Sequence, residues 1–230
     1  MRRTQTYSWW IALVWLLTAT IPPLPAAAQF GATEPGSGTF RDLRDGEEYA
    51  WVRIGEQVWM AENLRFSTPL GSMCWKNQEE ECSIRGRLYT WDAAMEAAPP
   101  GWHLPSDEEW MELEMTLGLT RAQVEDQGID RGGPGNTIGS ALKKVGGWAT
   151  EFQGRPVPVS NESGFSAIPA GLFAQEQFFH EGYTGWWSSS AEGDQAWVHA
   201  LRFFDSKMGR NLNAKGFGLS VRCVQDSPGG

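Results

Sequence analysis

Cysteine and histidine are scarce in this chain, which has three of each among 230 residues. The sequence contains neither C-x-x-C nor H-E-x-x-H, and His103, His180 and His199 lie far apart in it. These absences argue against a zinc-type site. No EF-hand loop, G-x-S-x-G, phosphate-binding Gly-rich loop or dinucleotide fingerprint occurs either. We therefore predict no catalytic residues, no metal site and no cofactor.

A long apolar run is also missing. The segment WWIALVWLLTATI (9–21) is shorter than the roughly 20 residues that span a bilayer. Arg2 and Arg3 precede it and PAAAQF follows it, as in a secretory signal peptide cleaved after Ala28. We predict a signal peptide over residues 1–28, with a retained N-terminal anchor as the alternative. No cysteine lies near the cleavage point, so the expected product is periplasmic or extracellular, with no stable membrane insertion.

Positively charged residues are fewer than negatively charged ones: the chain has 19 Lys and Arg and 28 Asp and Glu, which gives a net charge of −9. Loss of residues 1–28 removes two arginines and no acids, which takes the net charge to −11. An acidic surface repels phosphate backbones, so we expect no nucleic-acid partner.

Tryptophan, in contrast, is abundant. Ten of the 13 remain after the signal peptide, and most should lie in the core.

The first part of the mature chain alternates turn signals with short elements. Residues 29–40 (QFGATEPGSGTF) predict a flexible leader, and residues 226–230 a loose tail. Residues 49–60 predict a β-hairpin with Gly55 in the turn, and residues 87–90 a short strand. Residues 91–98 predict a helix that Thr90 caps and Pro99 ends.

The stretch GWHLPSDEEW (101–110) combines a histidine with three acids, but it contains a helix-start signal. Ser106 and Glu109 form an S-x-x-E capping box, and acids in the first turn favour the positive end of a helix. Trp110 and Leu113 then recur at helical spacing, and Gly118 ends the helix. We therefore interpret the acids as capping groups. His103 is predicted to be a core or turn residue rather than a general base.

Residues 119–164 are Gly-rich and irregular, with one predicted helix within 138–148. From residue 165 onward, short apolar runs separated by turns predict β-strands, ending with GLSVRCVQD (218–226). AWVHALRFF (196–204) is apolar on both alternating faces, so it is predicted to be a central strand. The expected fold is a single α+β domain: an N-terminal hairpin, two or three helices and a C-terminal antiparallel sheet.

Several segments together resemble the Fibrobacter succinogenes major paralogous domain family over residues 41–225. They are DLRDGEEYAWVRIGEQVWMAENL, GRLYTWDAAMEAAPPGWHLPSDEEW, ESGFSAIPAG, WWSSS and GFGLSVRC. Two elements, GWHLPSDEEW and GFGLSVRC, also resemble the C-type-lectin-like and formylglycine-generating-enzyme group, which implies a compact C-type-lectin-like domain. The family has no established biochemical role, so the resemblance implies a fold and a compartment but no reaction.

Two further patterns of these groups are absent. Formylglycine-generating activity needs a pair of reactive cysteines near the C-terminus, and only Cys223 is present there. The Glu-Pro-Asn and Trp-Asn-Asp tripeptides of sugar-binding C-type lectins do not occur either. The resemblance therefore implies neither of these activities for this chain.

The three cysteines predict one disulfide and one free thiol. Cys74 and Cys82 flank a polar loop in a protein predicted to be exported, so we predict a disulfide between them, with two free thiols as the alternative. In many members of the resembled family, the counterpart of Cys223 has a partner just before the GWHLP element. Ala98 stands at that place here. We therefore predict that Cys223 is a buried, unpaired thiol.

Two hypotheses for function remain. The first is an exported, non-enzymatic interaction domain that binds a cell-surface or extracellular glycan or protein. Its ligand surface would lie at one end of the C-terminal sheet, with Tyr183, Trp187, Asn211 and Asn213 as candidate ligand-binding residues. The alternative role for each of these is turn or core packing.

The second hypothesis is a secreted hydrolase acting on polysaccharide or peptidoglycan. It requires two carboxyl groups roughly 5–10 Å apart, one with a raised pKa. If His103 or His199 met carboxylates inside a solvent-open cleft, the non-catalytic interpretation would be contradicted.

Overall fold

The structure is a computed structural model that describes residues 36–179 and 181–227. The predicted signal peptide, most of the predicted leader, His180 and the last three residues lie outside it. The described strands are β1 (Ser37–Arg41), β2 (Glu48–Ile54), β3 (Gln57–Met60), β4 (Ser72–Met73), β5 (Leu88–Tyr89), β6 (Trp102–His103), β7 (Glu151–Phe152), β8 (Arg155–Pro156), β9 (Leu172–Ala174), β10 (Gln177–Phe179), β11 (Tyr183–Glu192), β12 (Gln195–Arg202), β13 (Met208–Ala214) and β14 (Val224–Gln225). The described helices are α1 (Glu79–Arg85), α2 (Trp91–Ala97), α3 (Asp107–Thr116), α4 (Arg121–Glu125) and α5 (Gly139–Leu142).

Two antiparallel sheets dominate these elements, which confirms the α+β class. One has five strands in the order β1-β2-β3-β14-β6, so the last strand of the chain lies beside the N-terminal hairpin. The other has three strands in the order β11-β12-β13. The pairs β4–β5, β7–β8 and β9–β10 form small separate ribbons.

The predicted hairpin is confirmed as β2 and β3, joined at Gly55. This residue has φ +61°, a conformation that glycine adopts without steric cost. The ordered sheet begins earlier than predicted, because β1 pairs with β2 and includes residues 37–40 of the predicted flexible leader. Phe40 explains the difference. Its ring stacks on Trp102 at 4.4 Å, so this end of the leader has an apolar anchor.

Aromatic side chains fill the core, as the sequence predicted. Eight of the ten tryptophans in the described residues are buried, and the other two are partly buried. The predicted central strand is confirmed as β12, with Trp197 and His199 buried on one face and Val198 on the other. Phe203 and Phe204 differ from the prediction, since both lie beyond the end of β12 and are 36% and 38% exposed.

The helices are confirmed in part. Helix α2 begins after Thr90, although the threonine side chain makes no capping hydrogen bond. Helix α3 has the predicted capping box in full. The helix predicted within 138–148 is a single turn, because the chain leaves helical geometry at Lys143. Helices α1 and α4 were missed; α4 has its own capping box, formed by Thr120 and Gln123.

The C-terminal segment is less regular than predicted. Of residues 218–226, only Val224 and Gln225 form a strand, while Leu219 and Ser220 form single bridges to Tyr89 and Trp186. Cys223 is confirmed as buried and unpaired. Burial raises the pKa of its thiol, so the reactive thiolate is disfavoured.

Candidate functional site

A buried ion cluster centres on His199 of β12. Its Nδ1 lies 2.7 Å from Glu114 Oε1, and its Nε2 lies 3.0 Å from Asp107 Oδ1. Arg131 donates to Glu114, and Arg210 donates to Asp107 with Nε–Oδ1 at 2.8 Å. All five residues are buried, and the cluster joins α3 to β12 and β13.

The cluster also sets the charge state of Asp107. Burial would raise the pKa of this carboxyl group, but hydrogen bonds from Arg210 and His199 outweigh it and hold the pKa well below its ordinary value. The interpretation of Asp107 as a first-turn capping acid was therefore incomplete. Its side chain anchors the helix start to the C-terminal sheet.

The placement predicted for His103 was wrong. It is 40% exposed on β6, with Nε2 2.7 Å from Glu109 Oε1 and Nδ1 2.7 Å from Asp226 Oδ1. Partial burial would lower its pKa, but the hydrogen bonds that its ring donates to Asp226 and Glu109 outweigh that effect and raise the pKa. Asp226 follows β14 and lies far away in sequence, which is why the motif alone did not reveal this contact. Neither His103 nor His199 lines any of the four cavities described below.

The four predicted ligand residues lie on β11 and β13 and share one face of the three-stranded sheet, as the strand register indicates. Trp187 is fully buried, and its indole N–H donates to the Tyr89 carbonyl at 2.7 Å. It therefore has no exposed face on which a sugar could stack. Tyr183, Asn211 and Asn213 are partly exposed, and Tyr183 lines an apolar cavity of about 310 Å³ beside Phe203 and Phe204.

A second, more polar recess lies on another part of the molecule. Three cavities of about 650, 240 and 610 Å³ share lining residues. The first two share Ala50, Ala61 and Ser166, and the last two share Glu62 and Arg65. The three cavities are therefore adjacent on the surface, and together they are here named the polar groove. It runs from β1 and β2 to the helix α1.

Paired charges line the α1 end of the polar groove. Arg65 Nε lies 2.9 Å from Glu47 Oε2, and Arg65 Nη1 lies 3.4 Å from Glu62 Oε1. Across the groove, Arg87 Nη2 lies 3.1 Å from Glu79 Oε2. Hydroxyl-bearing residues also line the three cavities of the groove: Ser37, Thr39, Ser67, Ser83, Ser163 and Ser166.

The predicted disulfide holds this end of the groove. Cys74 and Cys82 are bonded, and Cys82 on α1 lines the groove. After α1 the chain passes close to the segment that follows β3, where a Cβ on Gly86 would lie 2.5 Å from Asn63 Cβ. Glu79 lies close to the two sulfurs in the kind of grouping that binds metals, but the sulfurs are bonded to each other.

Family comparison accounts for most of the chain. The model of the Fibrobacter succinogenes major domain matches residues 52–225. The chain belongs to this family. No curated protein and no solved structure matches it. Among the described helices of this family member, none is long and apolar enough to cross a membrane.

Proposed function

We propose that this member of the Fibrobacter succinogenes major domain family is an exported, non-enzymatic interaction domain. Its ligand is an extracellular or cell-surface glycan, held in the polar groove. Export rests on the signal-peptide pattern of residues 1–28. The proposal includes a C-type-lectin-like arrangement of the domain, based on the elements at 101–110 and 216–223. A protein ligand is the other outcome of the binding test.

The observation that carries the proposal is the shape and lining of the polar groove. Its three adjacent open cavities make it extended, so it suits a chain-like ligand better than a small enclosed molecule. Its carboxylates, guanidinium groups and hydroxyls offer both acceptors and donors for the hydroxyl groups of sugars. The predicted site at the end of the C-terminal sheet is less suited to stacking on a sugar, because Trp187, the one tryptophan among its four candidate residues, is buried.

The hydrolase hypothesis needs a carboxyl group with a raised pKa to act as general acid. Three described carboxyl groups have clearly shifted pKa values, and all three shifts are downward. Burial opposes the shift at Asp42 and Asp107, where arginine hydrogen bonds outweigh it, and a hydrogen bond from Arg202 lowers the pKa of Asp130. These three groups therefore lack the raised pKa that the general acid of a hydrolase requires.

The test uses the chain without residues 1–28, applied to arrays of extracellular glycans and proteins. A Ser83→Trp variant places an indole at an exposed position of α1 that lines the groove. A Met95→Trp variant places the same group at an exposed position of α2 outside the groove. We expect glycan retention that Ser83→Trp weakens by about tenfold or more, roughly 1.4 kcal/mol, while Met95→Trp does not.

A reducing-sugar assay on each retained glycan completes the test. We expect no release of product over hours at micromolar protein. If sugar release persists after further purification of the protein, the non-enzymatic assignment is wrong and the hydrolase hypothesis is favoured. Retention that Ser83→Trp leaves unchanged would remove the groove as the binding site.

A further inference from the structure

The middle cavity of the polar groove carries an excess of positive charge, although the protein as a whole is acidic. This cavity of about 240 Å³ is lined by four cationic residues, Arg65, Arg85, Lys144 and Arg222, and by a single acid, Glu62. Its volume exceeds the roughly 30 Å³ that a water molecule takes up in the liquid, so an anionic group fits together with waters.

Arg222 is the unusual member of this set. It is 1% exposed, and its hydrogen bonds within the described residues all go to neutral oxygens. Nε donates to Asn63 Oδ1 at 2.8 Å, Nη2 to the Ser166 carbonyl at 3.0 Å, and Nη1 to the carbonyls of Met60 and Phe165. These bonds use four of its five N–H groups. The described residues give Arg222 no carboxylate partner, so its charge is not neutralised by an ion pair.

The other buried arginines show how unusual this is. Arg131 pairs with Glu114, Arg210 pairs with Asp107, and Arg202 pairs with Asp130 and Asp205. The face of the Phe165 ring, 4.2 Å from Arg222 Cζ, compensates only part of an isolated charge. Burial lowers the pKa of Arg222 to about 9, against a smaller opposing effect of Glu62, and this still leaves the side chain charged at neutral pH.

Lys144 adds a second unpaired cation at the same cavity. It is exposed at the rim, and none of the side-chain hydrogen bonds and ion pairs among the described residues involves it. Arg65 and Arg85, in contrast, each pair with two glutamates. The excess charge of the cavity therefore resides on Arg222 in the wall and Lys144 at the rim.

We propose that the cavity between Arg222 and Lys144 is an anion-binding subsite of the polar groove, which receives a carboxylate or sulfate group carried by the glycan. This inference rests on the proposed function and narrows its ligand class to acidic polysaccharides. A planar carboxylate or a sulfate supplies the negative charge that the protein itself does not place there. Glu62 lines both this subsite and the neighbouring cavity at α1, and it is held by Arg65 and by the amide of Ala50.

The test compares two oligosaccharides of equal length in calorimetric titration, an oligogalacturonate and its neutral galactose counterpart. We expect the acidic oligomer to bind about tenfold more tightly or better, and its affinity to fall as salt rises. Lys144→Gln removes one charge at the cavity, and Lys144→Glu reverses it. Lys215→Gln is the matched control, because it changes the net charge equally at a residue outside the groove.

Inorganic sulfate, titrated at constant ionic strength, tests the subsite without any sugar. We expect sulfate binding in the wild type and the Lys215→Gln variant, weaker binding in Lys144→Gln, and none in Lys144→Glu. If the variants bind sulfate in this order but the arrays retain no glycan, the anion subsite is supported and the proposed function is refuted. If glycans are retained with no preference for acidic ones and no effect of Lys144, the subsite is refuted and the proposed function stands. Equal sulfate binding by all variants would also refute it.

Discussion

Replacing Arg131 with methionine tests the structural role of the buried ion cluster. The guanidinium is fully buried, donates to Glu114, and also donates to the backbone carbonyls of Met208 and Val124 at 3.1 and 2.8 Å. Methionine fills similar space but leaves the Glu114 carboxylate buried beside His199 alone. Breaking one partner of a buried pair costs about 3–5 kcal/mol. That is a large fraction of the roughly 5–15 kcal/mol by which a typical domain is stable.

Urea unfolding followed by tryptophan fluorescence measures this loss, because most of the tryptophans are buried. Arg121→Met is the matched control, since Arg121 forms ion pairs with Glu108 and Glu125 at the surface. We expect its unfolding midpoint to stay close to that of the wild type.

The double variant Glu114→Gln/Arg131→Met separates charge from packing. Its glutamine oxygen still accepts from His199 Nδ1, and no uncompensated carboxylate remains at position 114. We expect it to be more stable than the sum of the two single losses by about 1.5–3 kcal/mol. If Arg131→Met lowered the midpoint no more than Arg121→Met does, the account of this cluster as a structural element would be refuted.

Three other expectations concern the cysteines and the acid response. Replacing Cys74 and Cys82 with serine should lower the free energy of unfolding by about 2–3 kcal/mol in urea titrations, and an unchanged value would contradict a stabilising bridge. Thiol titration without reductant should find no fast-reacting group in the native protein and one after unfolding, at Cys223; zero or three would refute the pairing. The lowered pKa of Asp107 means that its stabilising effect is complete above its unfolded pKa of about 4 and is lost as pH falls below it. Asp107→Asn should therefore be less stable at neutral pH yet lose less stability between about pH 5 and 2, and parallel pH curves would disprove this.

The predictions that succeeded rest on local signals. The capping box at Ser106, the glycine turn at Gly55 and the two-faced apolar pattern of β12 each depend on a few neighbouring residues. Burial of most tryptophans follows from their large apolar area. The short span between Cys74 and Cys82 was likewise enough to predict their bond.

The features that were missed depend on contacts between distant segments. Phe40 is ordered because it meets Trp102, and His103 is held because Asp226 returns beside it after β14. The polar groove joins residues from β1 to Arg222, and no local pattern marks such a set. Helix α4 is an exception, because its T-x-x-Q capping box was visible in the sequence.

The candidate ligand residues show the same limit. Tyr183, Asn211 and Asn213 were chosen for their side-chain chemistry, and the structure leaves all three partly exposed. The sequence did not indicate that the face of Trp187 is covered, because its indole lies against the distant Tyr89 of β5. The sequence also cannot show that Arg222 has no carboxylate partner, because this depends on which side chains pack around it.

Mapping a bound ligand by amide chemical shifts tests the central claim most directly. The isotopically labelled chain without residues 1–28 is titrated with a glycan that it retains, and the sugar signals are followed in the same samples. The account predicts shift changes along the polar groove, at Arg65, Ser83 and Ser166, with the glycan signals intact after a day. Changes centred on Tyr183, Asn211 and Asn213, or the appearance of cleaved sugar, would contradict it.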